Sequence, residues 1–215
     1  MRLTESLLEL LYPPRCVFCR RLTEGSRMLC PDCERDQPFL TEEEQRKQFE
    51  DLDICLSVMY YTGDVRNSLH RYKFHGAAAY SRIYGELMAD CLKAQGLRTD
   101  CVTWVPISRQ RLRKRGYDQS RLLAEEIGER CNLPCIRLLR KTRNNPAQSG
   151  TKSAEERRQN VAGVYEASEE AAGCRILLVD DIVTTGSTLC EAAEALRTAG
   201  ARSVAALTFA RAEVN

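Results

Sequence analysis

The chain has 215 residues, enough for one medium-sized domain and a small additional module. Its hydrophobic content of 43% predicts a globular protein and excludes a largely disordered one. A formal net charge of +2 with 29% charged residues does not by itself indicate a nucleic-acid-binding or membrane-surface protein, and no apolar run is long enough for a membrane-spanning helix.

The N-terminal stretch from Leu7 to Leu11 is short and interrupted by Glu9. It lacks the long apolar core of a signal peptide, so we expect a small amphipathic helix that ends at Pro13 and Pro14. The chain also contains 11 cysteines, of which seven are scattered through predicted helices and strands. Scattered cysteines of this kind favour a reducing, cytoplasmic location over a disulfide framework.

The other four cysteines form two Cys-x-x-Cys pairs, Cys16 with Cys19 and Cys30 with Cys33. Four thiolates complete the tetrahedral coordination of a structural Zn²⁺, and no histidine in the stretch suggests an open, catalytic position. Two disulfides or a redox pair are the alternatives. We expect an N-terminal helix and zinc-binding module over residues 1–40, a polar linker over 41–52 and the main domain over 53–215.

The main domain is predicted to be α/β, with a mostly parallel sheet flanked by helices. The predicted strands comprise residues 54–61, 101–105, 136–139, 164–166, 176–179 and 203–209. Helices are predicted from 65 to 75, 77 to 95 and 116 to 130, with a last helix that ends at Gly200. The polar stretch 143–158 is predicted to be a long functional loop, such as a lid.

Five cations follow the predicted strand that ends at Val105, namely Arg109, Arg111, Arg113, Lys114 and Arg115. Such charges would bind the phosphate groups of a ligand at the end of the sheet, or the backbone of a single-stranded nucleic acid. The plainer alternative is the exposed, basic start of a helix.

The most informative stretch begins with the apolar run 176–179, which predicts a strand buried on both faces. Asp180 and Asp181 follow at its carboxyl end, and the hydroxyl-rich turn 184–188 leads into the last helix. Ligands of open α/β sheets bind beyond the carboxyl ends of the strands, and helix N-termini bind phosphate. Paired acids beside such a turn would bind sugar hydroxyls or hydrated Mg²⁺, so the stretch predicts a sugar-phosphate site.

The alternative is a capped helix after an exposed turn, because Thr188 and Glu191 have the spacing of a capping box. Capping alone does not account for two acids, two threonines, a glycine and a Ser-Thr pair within ten residues. The stretch also lacks the glycine and lysine pattern of a P-loop and the glycine pattern of a dinucleotide-binding fold.

The segment from Val179 to Thr188 resembles the signature of type I phosphoribosyltransferases. The resemblance implies that Asp180 and Asp181 hold the ribose hydroxyls of phosphoribosyl pyrophosphate (PRPP) together with Mg²⁺. It assigns the 5′-phosphate to Thr184, Thr185, Gly186, Ser187 and Thr188. The pyrophosphate would then face Arg109, Arg111 and Arg115.

Nearly the whole chain resembles the ComF/GntX family, phosphoribosyltransferase-like proteins linked to bacterial DNA uptake. The shared features are the cysteine pairs, Lys73-Phe74-x-Gly76, Val105-Pro106, Arg111, Arg115-Gly116-Tyr117-x-Gln119, Gln148, Arg157 and Asn160. We include Lys73 among the expected substrate-binding residues. Two positions depart from the family pattern: Trp104 replaces a frequent proline and Asp118 replaces a usual asparagine, so a donor role at 118 is lost on ionisation.

Two functions from different classes follow from this resemblance. In the first, the protein transfers a phosphoribosyl group from PRPP to an unidentified acceptor and releases pyrophosphate. In the second, the same pocket senses PRPP or a nucleotide without catalysis, while the zinc module and basic residues hold single-stranded DNA, a competence helicase or another DNA-uptake protein. An inactive scaffold is a third reading, which the intact acids and loop argue against.

Overall fold

The computed structural model describes residues 13–25, 27–142 and 163–213. The predicted N-terminal helix, the predicted lid 143–158 and the family residues Gln148, Arg157 and Asn160 lie outside these ranges.

A five-stranded sheet forms the centre of the described structure. Its strands are β1 (Arg46–Phe49), β2 (Leu52–Tyr60), β3 (Cys101–Trp104), β6 (Arg175–Val183) and β7 (Ser203–Arg211). Their order is β1-β2-β7-β6-β3, and every neighbouring pair is parallel except β1 with β2. Strands β4 (Leu139–Lys141) and β5 (Tyr165–Ala167) form a separate antiparallel pair. The predicted mostly parallel sheet is confirmed.

Helices cover both faces of this sheet, as predicted. They are α1 (Pro31–Asp36), α2 (Gly63–Phe74), α3 (Ser81–Ala94), α4 (Arg109–Arg115), α5 (Gln119–Cys131) and α6 (Ser187–Thr198). Alternate residues of β6 contribute to two cores: Leu177 and Val179 pack with α2, α3, α5 and the cysteine-rich segment, whereas Ile176 and Leu178 pack with α6 and the β4–β5 pair. This alternation follows from the two-residue period of a strand.

Two parts of the sheet differ from the expectation. Strand β1 lies within the segment 41–52 expected to be a linker, where it pairs antiparallel with β2. The strand predicted at 136–139 begins later, because Cys135 forms only a single bridge with Val102 before the chain turns away to pair as β4 with β5.

The acid pair also lies differently from the prediction. Strand β6 was expected to end at Val179, but it continues to Val183, so Asp180 and Asp181 are residues of the strand itself. Pairing with β7 persists beyond Val179, whereas β3 already ends at Trp104, the partner of Val179. The sheet therefore opens on the β3 side at the acids.

Candidate functional site

The four cysteines predicted to bind zinc lie together. The Sγ atoms of Cys16, Cys19, Cys30 and Cys33 are all within 4.8 Å of one another, and those of Cys19 and Cys30 are 3.7 Å apart. Tetrahedral Zn²⁺ with Zn–S bonds of about 2.3 Å requires sulfurs about 3.8 Å apart, so the cluster fits this ion. All eleven cysteines of the chain are described and free, which removes the disulfide alternative from this structure.

Local structure explains how the sulfurs are held. The sulfur of Cys30 caps α1 by accepting from the backbone N–H of Cys33 at 3.5 Å. Against the effect of burial, hydrogen bonds from backbone N–H groups lower the pKa of Cys16 to about 7. Burial and the neighbouring thiols raise the pKa of Cys33. Thiolates are the form that binds zinc, so a bound Zn²⁺ would favour the ionised state of the whole cluster.

The cysteine-rich segment is packed into the main core. Val17 and Phe18, between the first two cysteines, are 0% and 1% exposed. The Phe18 ring lies 6.5 Å from each of the rings of Tyr84 and Phe209. From α2, Arg71 donates to the carbonyl oxygens of Val17 and Phe18 at 2.6 and 2.9 Å. The metal-binding segment and the sheet thus share one hydrophobic core.

The carboxylates of Asp180 and Asp181 have different surroundings. Asp181 is 4% exposed, and its Oδ1 lies 2.9 Å from Nζ of Lys73. Its Oδ2 is buried and has no hydrogen-bond partner among the described residues. Asp180 accepts from the Ser120 hydroxyl at 2.8 Å and from the Asp181 N–H at 2.9 Å. Lys73, predicted to bind substrate, therefore belongs to the acid site, and Ser120 is an additional member.

Burial and the adjacent Asp181 charge raise the pKa of Asp180 to about 7. Because the unfolded pKa is about 4, the unfolded state loses this proton first, and the stability of the ligand-free fold falls as the pH rises from about 4 to about 7. A cation or a hydroxyl donor beside Asp180 would stabilise the ionised form. The pair is therefore suited to a ligand that carries hydroxyl groups or a hydrated cation.

The predicted phosphate loop borders the same opening. Residues 184–188 and Asp180 line one small pocket, and Gly186 there has a φ of +81°. A Cβ at position 186 would lie 2.2 Å from the Phe49 ring of β1, so both the backbone conformation and the available space require glycine. The hydroxyls of Thr185 and Ser187 are 2.9 Å apart at the start of α6.

Gly186→Ala is expected to weaken the binding of ribose 5-phosphate by at least about tenfold, because a left-handed alanine costs about 1–2 kcal/mol and its methyl group displaces Phe49. Gly96→Ala is the matched control, since Gly96 has a φ of +62° but open space around it. Calorimetric titration and thermal unfolding of both variants measure the effect. Unchanged binding by a folded Gly186→Ala would show that the loop does not hold a phosphate.

The three arginines expected to face a pyrophosphate all lie on helix α4. Arg111 and Arg115 are four residues apart on α4 and lie on one side of it, whereas Arg109 is about 200° away around the helix from Arg111. The Arg115 guanidinium lies over the Phe74 ring, 4.7 Å from its centroid. Burial lowers the pKa of Arg115, while the charge of Asp181 opposes this change. Arg115 is therefore directed toward the acid site.

Asp118, the departure from the family pattern, serves as a structural acceptor. Its Oδ1 caps α5 by accepting from the N–H of Arg121 at 3.3 Å, and its Oδ2 accepts from the N–H of Ile107 at 3.2 Å. Burial raises the pKa of this carboxyl group. Both bonds use acceptor oxygens only, so the position requires no donor.

Two tyrosines connect the helices around the site. The Tyr72 hydroxyl donates to the Gln119 carbonyl oxygen at 2.8 Å, and the Tyr117 hydroxyl donates to the Tyr72 carbonyl oxygen. These bonds fix the end of α2, which carries Lys73, against the start of α5, which carries Ser120. Tyr117 belongs to a motif noted in the sequence, but nothing in the sequence marks Tyr72 or Ser120 as part of the site.

A mostly parallel sheet with an acid pair on an inner strand, and a glycine-containing hydroxyl loop between that strand and a helix, defines a phosphoribosyltransferase-like fold. Here this fold is joined to a four-cysteine module. The model of the phosphoribosyl transferase domain matches residues 100–214, and that of the double zinc ribbon domain matches residues 7–45. The described residues contain one four-cysteine cluster.

Similar proteins cover most of the chain. It is 31% identical to Competence protein ComFC of Bacillus subtilis over 91% of this chain and 83% of that protein. It is 25% identical to Competence protein F of Haemophilus influenzae, with 93% and 85% covered. The chain belongs to the ComF/GntX family of phosphoribosyltransferase-like proteins. Among solved structures, a B. subtilis glutamine PRPP amidotransferase is 25% identical, with a TM-score of 0.43 over 62% of this chain and 26% of that one.

No helix in the described part of the chain is both long and apolar enough to cross a lipid bilayer.

Proposed function

We propose that this protein binds PRPP with Mg²⁺ at the opening beside β6 and transfers the phosphoribosyl group to an acceptor, in the uptake or use of DNA by a bacterial cell. The observation that carries the proposal is the Asp181 carboxylate, which is buried, paired through one oxygen with Lys73 and unpaired through the other among the described residues. A buried acceptor without a donor costs about 1–3 kcal/mol, which a ligand hydroxyl would offset.

The roles of the residues follow from their positions. Asp180 and Asp181 would accept from the ribose hydroxyls, and their oxygens suit Mg²⁺, which would neutralise part of the pyrophosphate charge when bound. The backbone and hydroxyls of residues 184–188 would hold the 5′-phosphate, with Gly186 allowing close approach. Cytoplasmic action is part of this proposal, in line with eleven free cysteines.

The proposed reaction requires little acid–base chemistry from the protein. The bond between the anomeric carbon and pyrophosphate breaks, its electron pair leaves with pyrophosphate, and an acceptor atom forms the new bond and loses its proton. Arg111 and Arg115 would stabilise the leaving pyrophosphate, and the acids would orient the ribose. The chain thus contributes positioning and charge stabilisation.

A second candidate function is supported by helix α4. None of its seven residues is buried, and five of them are cationic. An exposed basic helix of this kind can hold the backbone of single-stranded DNA or an acidic surface of a DNA-uptake protein such as a competence helicase. In this case the PRPP pocket would be a sensor without catalysis.

Arg111→Ala and Arg115→Ala separate the two candidates. A charge-assisted hydrogen bond contributes about 1.5–3 kcal/mol, so each variant should bind PRPP about tenfold to a hundredfold more weakly and leave ribose 5-phosphate binding unchanged. Arg113→Ala, on the same helix but in a different direction, is the control. Equal weakening for both ligands would refute the pyrophosphate role, and a loss confined to single-stranded DNA binding would favour the second candidate.

A further inference from the structure

Helix α2 contacts both the cysteine-rich segment and the acid pair. It runs from Gly63 to Phe74, and its last turn carries Arg71 and Lys73. Residues two apart on a helix point about 200° away from each other, so these two cations extend to nearly opposite sides of α2. Arg71 reaches the cysteine-rich segment and Lys73 reaches the acid pair.

The contact with the cysteine-rich segment is made through backbone carbonyl groups. The Ser68 hydroxyl donates to the Val17 carbonyl oxygen at 2.5 Å. Arg71 donates to the carbonyl oxygens of Val17 and Phe18 at 2.6 and 2.9 Å. Both acceptor residues lie between the first two cysteines of the cluster, so the direction of their carbonyl groups depends on the fold of this Cys-x-x-Cys turn. A bound Zn²⁺ would fix the turn, because it would hold both thiolates at one point.

Arg71 depends on these carbonyl groups. Its Nε is buried and has no hydrogen-bond partner among the described residues. The hydrogen bonds that its guanidinium makes in the described structure are those to Val17 and Phe18. A looser Cys-x-x-Cys turn would therefore leave a partly buried cation without acceptors, and α2 would have to shift to expose it to water.

The same turn of α2 holds the acid pair. Lys73 Nζ lies 2.9 Å from Oδ1 of Asp181. Tyr72, between the two cations, is fully buried and donates through its hydroxyl to the Gln119 carbonyl oxygen at 2.8 Å. Two residues of a helix are only about 3 Å apart along its axis, so a shift of α2 at Arg71 also displaces Lys73.

We propose that the zinc-binding module positions the acid site through α2. Arg71 is the positioning residue: it holds α2 against the Cys-x-x-Cys turn, and Lys73 is thereby held beside Asp181. Metal occupancy of the cysteine cluster then sets the affinity for PRPP, although the cluster does not line the pocket of the phosphate loop. This inference rests on the proposed binding of PRPP and adds a dependence on zinc to it.

Calorimetric titration of PRPP with Mg²⁺ tests the inference at a temperature where every protein used is folded. Arg71→Ala, with its zinc retained by elemental analysis, should bind PRPP about tenfold more weakly than the wild type, and so should zinc-depleted wild type. In protein that already carries Lys73→Met, neither Arg71→Ala nor zinc depletion should change the affinity by more than about twofold, because both act through Lys73. Arg66→Ala, an exposed arginine on the same helix, is the control.

Hydrogen exchange gives a readout that does not require PRPP. In the last turn of α2, the N–H of His75 donates to the Arg71 carbonyl oxygen at 2.9 Å. This amide should exchange at least about tenfold faster in Arg71→Ala and in zinc-depleted wild type than in zinc-loaded wild type. The amides of α6 lie outside this connection and should keep their exchange rates.

Full PRPP affinity in folded, zinc-depleted wild type would overturn the inference. It would also fail if Arg71→Ala weakened PRPP binding equally with and without Lys73→Met, or if the exchange of the His75 amide did not respond to zinc. A zinc-loaded wild type that does not bind PRPP would instead refute the proposed function. The exchange rates would then still decide whether the zinc-binding module holds α2 in place.

Discussion

Replacing Cys30 with serine is expected to remove the bound zinc and to lower the thermal unfolding midpoint of the entire described domain by about 10 °C. The cause is the shared core. Val17 and Phe18 are fully buried against the sheet, and their carbonyl groups accept from Arg71. Exposing two such side chains costs about 1.5–3 kcal/mol each, and each kcal/mol shifts the midpoint of a domain of this size by about 2–4 °C.

Elemental analysis and calorimetric unfolding of the reduced protein measure this effect. The wild type should contain about one zinc per chain, as a four-thiolate site requires. Cys131→Ser, a half-buried cysteine outside the cluster, is the matched control and should retain the metal. Two separate transitions, with only the first affected by Cys30→Ser, would show that residues 1–40 form an independent module, and the shared core would then contribute little to stability.

The parts of the site that could be predicted from the sequence are those encoded in short segments. The run 176–188 contains a buried strand, two acids, a glycine turn and a helix start, and each has its own local signal. The cysteine spacing likewise identifies the metal ligands before any fold is known. Such features need no information about distant parts of the chain.

Features that depend on long-range pairing could not be predicted. Arg46 and Lys47 give β1 the composition of a linker, and only its pairing with β2 makes it a strand. Strand β6 extends through the acids because its residues there still pair with β7, and the sequence of β6 alone does not indicate this pairing. Ser120 reaches Asp180 across 60 residues of sequence, and its surroundings carry no motif that indicates this contact.

The arginines illustrate a third kind of limit. As a run of cations after a strand, Arg109, Arg111 and Arg115 suggest one common ligand. Once the run is known to be helical, successive residues turn by about 100°, and Arg109 separates from the other two. Arg109 lines a pocket together with Arg137 and Arg140, whose positions depend on the pairing of β4 with β5.

Asp181→Asn is expected to reduce PRPP affinity by about one to two orders of magnitude, because a carboxylate hydrogen bond contributes about 1.5–3 kcal/mol. The change keeps the shape of the side chain but removes its negative charge. That charge attracts Mg²⁺ and strengthens the hydrogen bonds that the carboxylate accepts from the ribose hydroxyls. It also leaves Lys73, only 20% exposed, without the negative charge that faces it at 2.9 Å, so some loss of stability accompanies the change. Asp90→Asn, on the exposed surface of α3, is the control for charge removal alone.

Calorimetric titration of PRPP with Mg²⁺ into the wild type and Asp181→Asn, at a temperature where both are folded, tests the central claim most directly. We predict saturable binding of about one PRPP per chain by the wild type and by Asp90→Asn, as expected for one site, with binding by Asp181→Asn weaker by at least about tenfold. Absence of binding by the folded wild type, or equal affinity in all three proteins, would contradict the assignment of the acid pair and its loop as a PRPP site.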